Sequence, residues 1–275
     1  MLPATASLPY TEKIALLRAH LESLPGAVVA FSGGVDSTML LQVCHAVLGD
    51  RAVAVTADSP SLPRVELAEA VALAREIGAR HVVLPTNELD QESYRQNASD
   101  RCYHCKQALF VTVAKRRAEI APLAWPVLYG AIIDDLGDHR PGQKAAAEHG
   151  VLAPLIDAGF CKVDVRQYSR EQGLRTADKP SFACLSSRVP YGTPIDAPLL
   201  SRIERAEQVL RERGFLVFRV RHHGDVARLE LAADEIPRAI LLRESLASAI
   251  RATGYVHVTL DLLGYRSGSL NEVLS

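Results

Sequence analysis

Between Thr11 and Leu24 apolar residues recur at Ile14, Leu17, Leu21 and Leu24, the spacing of one helical face, with Thr11 as its cap. Pro25-Gly26 ends that helix, and the unbroken apolar run Ala27–Phe31 follows as a buried strand. The alternation continues with helix Thr38–Leu48, strand Ala52–Ala57, helix Val65–Ile77 and strand His81–Leu84. Strand Pro126–Gly130 comes after a long helical insertion. Strands without internal alternation, separated by helices, predict an α/β fold with a parallel sheet covered on both faces.

Near Tyr191–Pro198, rich in Pro and Gly, the pattern changes. Helix Leu199–Arg213, strand Phe215–Arg221, a turn at His223–Asp225 and strand Val226–Leu231 follow. Helix Asp234–Arg251, with Pro237 in its first turn, and strand Tyr255–Leu260 complete the chain. That order predicts a small C-terminal α+β domain of ferredoxin-like character. The expected division is residues 1–190 and 191–275. No internal repeat or low-complexity stretch interrupts it.

Composition narrows the class. With 48% hydrophobic and 23% charged residues in 275, wholesale disorder is excluded. Lys and Arg number 31 against 32 Asp and Glu, a net charge of -1, so no basic excess serves a long nucleic-acid interface. No apolar run approaches the roughly 20 residues that cross a bilayer, so no membrane partner is expected. Residues 1–10 hold two prolines and no basic residue, unlike a secretory signal. Five cysteines, an odd count, do not form a disulfide framework, and a reduced, cytoplasmic protein is expected.

The strongest chemical signal is Ala30-Phe-Ser-Gly-Gly-Val-Asp-Ser37, between a buried strand and a helix. Gly33 and Gly34 allow a tight bend and close approach of a ligand. The amides of Gly34, Val35, Asp36 and Ser37 would point outward at the helix start, where an anion is favoured. Ser32 and Ser37 add hydroxyls, and Asp36 suits a Mg²⁺ ion beside a phosphate. The alternative is a capped glycine turn, which the strand–loop–helix context disfavours. The loop lacks the Gly-Lys-Ser/Thr ending of a Walker A motif and resembles the PP-loop of ATP pyrophosphatases. That resemblance implies ATP, held with Ala30 and the loop, with Ala57 at the second strand and Gly130 after the fourth lining the same crevice.

Cys184 is flanked by Lys179 and Arg188 in Lys179-Pro-Ser-Phe-Ala-Cys-Leu-Ser-Ser-Arg188, and cations beside a thiol favour its thiolate. Packing as a small hydrophobe is the alternative. Cys102 and Cys105 form a single CxxC in a helical pattern, half of a zinc site. With Cys184 they would supply three thiolates to a [4Fe–4S] cluster. Cys44 and Cys161 read as packing residues. Asp134-Asp-Leu-Gly-Asp-His-Arg-Pro-Gly142 carries three carboxylates and Arg140, for metal or ribose contact or for capping. Arg219 and Arg221, two apart on a strand, share a face that suits a substrate phosphate or lies solvated. Glu204 and Glu207 have Arg211 as a ready partner.

Taken in order, these segments together with Arg101-Cys-Tyr-His-Cys-Lys106 and Arg219-Val-Arg-His-His-Gly-Asp225 resemble the LarE family over nearly the whole chain. Those are ATP-dependent sulfurtransferases that make the nickel-pincer nucleotide cofactor. The resemblance implies adenylation of a carboxylate of pyridinium-3,5-biscarboxylic acid mononucleotide with release of pyrophosphate, then sulfur insertion. In one branch the sulfur is that of the cysteine matching Cys184, which ends as dehydroalanine. In another, three cysteines hold a cluster carrying a replaceable sulfide. Lys106, Arg188, Arg219 and Arg221 are the candidate substrate-binding residues, and a homo-oligomer is expected. The rival readings are a PP-loop tRNA thiolase, an ammonia-dependent amide synthetase and a non-catalytic nucleotide-binding regulator.

Overall fold

Residues 3–137, 141–180 and 183–266 are described by the computed structural model. They fall into two units, Met1–Glu88 with Asp100–Lys179, and Leu89–Ser99 with Pro180–Ser275. The strands are β1 (Ala27–Ala30), β2 (Ala52–Asp58), β3 (Arg80–Pro85), β4 (Val127–Tyr129), β5 (Phe218–His223), β6 (Val226–Leu231) and β7 (His257–Leu260). The helices of the first half are α1 (Tyr10–Glu22), α2 (Val35–Leu48), α3 (Arg64–Ile77), α4 (Glu92–Arg95), α5 (Arg101–Lys115) and α6 (Arg117–Ile120). Those of the second are α7 (Pro141–Glu148), α8 (Pro154–Asp157), α9 (Lys162–Glu171), α10 (Ala197–Glu212), α11 (Ile236–Leu241) and α12 (Arg243–Arg251). Among the described residues no helix is long and apolar enough to cross a membrane.

In the first unit β3-β2-β1-β4 form an all-parallel sheet, with Ala27 opposite Ala52 and Val28 opposite Val127. Alternate strand residues feed two cores. Ala27, Val29, Ala52 and Ala54 pack with α1, α2 and α9 through Leu17, Leu21, Met39 and Val165. Val28, Val53 and Val55 pack on the other face with Leu109, Phe110 and Val113 of α5. This two-sided burial explains why these strands show no alternation in polarity. Helix α1 starts one residue earlier than the periodicity suggests, behind Pro9, and Thr11 lies inside it instead of capping it.

The second unit has its own sheet, β5-β6-β7, antiparallel between β5 and β6 and parallel between β6 and β7. Its core joins Leu210, Phe215, Val220, Leu229, Leu246 and Ile250. Expected boundaries change here. The strand expected from Phe215 begins only at Phe218, because the Leu216 N–H donates to the Glu235 carboxylate (3.2 Å) in place of a neighbouring strand. The helix expected over Asp234–Arg251 divides at Leu242 into α11 and α12.

The chain also changes units earlier than residue 190, at Lys179, and lends Leu89–Ser99 to the second unit. The lent segment is pinned by Asn97. Its φ of 53° is a conformation asparagine tolerates, and its side-chain amide donates to the carbonyls of Pro190 (2.8 Å) and Thr193 (3.1 Å). The Tyr94 hydroxyl, 2.6 Å from the Ser186 hydroxyl, ties down the same segment.

On β3, His81 Nε2 lies 2.8 Å from Thr56 Oγ1, which itself donates to the Phe31 carbonyl. Burial holds the His81 imidazole below its ordinary 6.5, and His222 and His223 are held down by the same cause. The unfolded chain therefore takes up these protons more readily, and stability present above about pH 6.5 is lost as the pH falls. The urea midpoint is expected to drop between about pH 7.5 and 5.5, and His81→Gln, which keeps a hydrogen bond without the titration, to reduce that drop. An equal drop in both proteins would clear His81 of any part.

Candidate active site

Strand β1 has β2 on one side and β4 on the other, so the order of connection reverses at the β1–β4 boundary. In open α/β sheets the crevice outside the strand carboxyl ends at such a point receives ligands. Ala30 closes β1 opposite Val55 and Tyr129, and Ser32–Gly34 lead into α2 at Val35. Gly33 has φ of 69°, and a Cβ there would stand 3.2 Å from Ala70 of α3, so a side chain is opposed by conformation and by space alike.

No side chain caps α2 at Gly34; the hydroxyls brace the loop from within. Ser37 Oγ donates to the Gly34 carbonyl (3.1 Å) and lies 3.1 Å from Ser32 Oγ, while Ser32 N–H donates to Ser37 Oγ (3.3 Å). The first-turn amides of α2 lack intrahelical acceptors and carry the positive end of the helix dipole, which makes this turn an anion cradle. Gly130, just past β4, backs directly onto it. A Cβ there would meet Ser37 N at 2.9 Å and the Asp36 carbonyl carbon at 3.0 Å.

Asp36, in the first turn of α2, is occupied by a residue absent from the sequence candidates. Lys162 Nζ donates to both its carboxylate oxygens, at 2.6 and 2.7 Å. The sequence carries no local signal for Lys162, whose partner lies 126 residues away. Asp134 accepts the Lys162 N–H (3.0 Å) and Asp135 the Ile132 N–H (3.1 Å), so two carboxylates of that loop act as caps. Asp138 and Arg140 lie outside the described residues. Ala57 pairs with Leu84 near the end of β2. Beyond it the Ser59 and Ser61 hydroxyls both donate to buried Glu88, at 2.6 and 2.8 Å, which fixes the loop that follows Ala57.

Lys179, expected to act on Cys184, instead serves the phosphate loop, donating to the Gly33 carbonyl (3.2 Å) and to Glu66 (2.7 Å). Cys102 and Cys105 lie one turn apart in α5, on one face as i and i+3 residues. Lys106 follows on the same helix, its Cγ within 3.0 Å of where a Gly142 Cβ would stand, so its stem packs against α7. Cys44 is fully buried, as a packing residue should be. Cys161 is not one: it caps α9, with its N–H donating to Asp164 (3.0 Å), whose carboxylate also pairs with Lys13 (2.8 Å).

In the second unit Cys184 precedes a 3-10 turn, Leu185–Arg188, and is partly exposed. Arg188 points inward, against its expected contact with substrate. Its side chain has 0% exposure, and Nε and Nη2 donate to Glu207 at 2.8 and 3.0 Å. Glu207 is therefore the partner of Arg188, not of Arg211. Arg188 Nη1 reaches the Cys184 carbonyl (2.9 Å), so the cation holds the main chain at that cysteine. Arg219 and Arg221 are each less than a tenth exposed, so their shared face is not solvated. Arg221 pairs with Glu230 (2.8 Å) and donates to the Ser187 carbonyl (2.6 Å). Arg219 lies over the Tyr265 ring at 5.0 Å, and burial, then the nearby Arg188, lowers its pKa.

Comparison with known proteins places this geometry. The family model described as NAD synthase matches residues 12–117, which span the phosphate loop and α5. The pyridinium-3,5-bisthiocarboxylic acid mononucleotide synthase of Lactiplantibacillus plantarum is 37% identical over 96% of this chain and 95% of its own length. The chain belongs to the LarE family. It is thus an ATP-using sulfurtransferase. An uncharacterized protein of Synechocystis sp. is 42% identical over 96% of this chain and 98% of its own. Another, from Methanocaldococcus jannaschii, is 25% identical over 87% and 90%.

Two groups implied by the LarE family can be tested against the residues. Asp36 suits a magnesium ion, since both its oxygens already accept from a cation and it stands at the phosphate cradle. A bound magnesium would offset phosphate charge there. For a [4Fe–4S] cluster, α5 offers the two thiols of Cys102 and Cys105, but among the described residues no group of three or more His, Cys, Asp or Glu side chains could hold a metal ion.

Proposed function

We propose that this enzyme uses ATP to adenylate a carboxylate of pyridinium-3,5-biscarboxylic acid mononucleotide, releasing pyrophosphate, and inserts sulfur through Cys184. A carboxylate is a poor acyl donor because its leaving group would be oxide; AMP makes it a good one. The observation that carries this reading is the Ser32–Ser37 cradle against Gly130, whose amides face the place where negative charge gathers on the leaving pyrophosphate. The thiolate of Cys184 then attacks the acyl carbon and AMP leaves, giving a thioester. Removal of the Cys184 Cα proton and cleavage of its Cβ–S bond yield the thiocarboxylate and leave dehydroalanine. The relative named as synthase of the bisthiocarboxylic mononucleotide supports the choice of acceptor.

The test is the intact mass of protein purified without oxygen, before and after turnover with ATP, Mg²⁺ and the biscarboxylate mononucleotide. Loss of one H₂S mapped to Cys184 is expected. Thiolated product from protein of unchanged mass would overturn Cys184 as the sacrificed donor. Absence of both product and pyrophosphate would overturn the acceptor.

A further inference from the structure

The ion pair between Lys162 and Asp36 is not accounted for by the stability of either helix. Lys162 is the first residue of α9 and Asp36 the second of α2, so the lysine stands against two positive helix ends at once. Asp36 is already favoured where it is and needs no lysine to keep it there. The position of Lys162 is nevertheless firmly built. Its N–H donates to Asp134 (3.0 Å), and the next turn is held by the Cys161–Asp164 capping box and by Lys13, which is almost wholly buried. The 132–135 segment is tied to the same place by the Ile133 N–H, which donates to the Phe160 carbonyl (3.0 Å). A fixed root on a flexible four-carbon stem delivers one ammonium, about a third exposed, to the mouth of the phosphate cradle.

We propose that Lys162 is a phosphate-binding residue of the nucleotide site, its ammonium exchanging between Asp36 and the phosphates of bound ATP. The inference rests on reading the Ser32–Ser37 loop as that site. Paired with Asp36, the lysine cancels a carboxylate charge that would otherwise repel a polyphosphate. With nucleotide bound, the phosphate oxygens offer a stronger anion within reach of the same stem, and the ammonium then faces the charge that grows on pyrophosphate as it leaves. The pair thus serves a ligand instead of the fold.

The test is calorimetric binding of inorganic pyrophosphate and of ATP, without Mg²⁺ and at fixed ionic strength. Lys162→Ala is expected to weaken both by roughly ten- to a hundredfold, the size of one charge-assisted hydrogen bond, while Lys162→Arg keeps most of the affinity. A double variant, Lys162→Ala with Asp36→Asn, separates contact from neutralisation and is expected to remain weak. Restored affinity in the double variant would show that Lys162 only cancels Asp36, and would overturn the proposal. So would unaltered binding by Lys162→Ala when the wild type binds. A wild type that binds neither ligand would overturn the nucleotide-site reading and this inference with it. Should Lys162→Ala fail to fold, Lys162→Gln, which keeps the stem without the charge, carries the same comparison.

Discussion

Glu207→Ala is expected to destabilise the second unit by about 3–5 kcal/mol, the usual loss when one partner of a buried ion pair is removed. Arg188 has 0% and Glu207 3% side-chain exposure, so water cannot replace the missing carboxylate. Glu207 also accepts the Val220 N–H (3.1 Å), so its removal strips a strand donor together with the guanidinium. The substitution thereby loosens the joint between α10, β5 and the turn after Cys184. Urea unfolding followed by circular dichroism would measure the loss, and a change under about 1 kcal/mol would mean that Arg188 finds another anion. Replacing both partners, Arg188→Met with Glu207→Leu, is expected to recover most of the stability, because neither member of the pair is then left buried without the other. Pyrophosphate release should survive in that double variant if Arg188 holds the Cys184 main chain and not the nucleotide.

Gly130→Ala is expected to cut ATP-dependent pyrophosphate release about a hundredfold, with a smaller penalty in stability of about 1–3 kcal/mol. The new methyl would meet Ser37 N at 2.9 Å and the Asp36 carbonyl carbon at 3.0 Å, both main-chain atoms that cannot rotate away. Either β4 or the first turn of α2 must retreat, and that turn carries the amides aimed at phosphate. A displacement well under 1 Å suffices, since reacting groups tolerate little error in position. Release assays alongside thermal melting would separate the two effects. An unchanged rate with an unchanged melting point would show that the two main chains part without consequence.

The parallel sheet was legible because its central strands β1 and β2 are buried on both faces, so Ala27–Ala30 and Ala52–Val55 read as unbroken apolar runs with a helix between them. The phosphate loop was legible because glycines, hydroxyls and a carboxylate fall between a strand and a helix. What escaped depends on partners distant in the chain. Nothing beside Arg188 announces Glu207, nineteen positions on, as its buried partner. Lys162 is an ordinary lysine until the fold brings it to Asp36, with a separation of 126 residues. The break between α11 and α12 has neither Gly nor Pro to mark it, since the apolar spacing runs on through Leu242 into Leu246 and Ile250. Cys161 looked apolar by its neighbours, yet its main-chain N–H was the one the helix start needed to satisfy.

The loan of Leu89–Ser99 to the second unit bears on how this protein is made. The ribosome delivers that stretch long before Pro180, so the Asn97 amide cannot reach the carbonyls of Pro190 and Thr193 until those residues emerge. The second unit therefore completes only late in synthesis, around a piece delivered early. A gene fragment beginning at Pro180 would encode it without that piece. Neither unit is a cassette that recombination can lift out as one uninterrupted length of DNA.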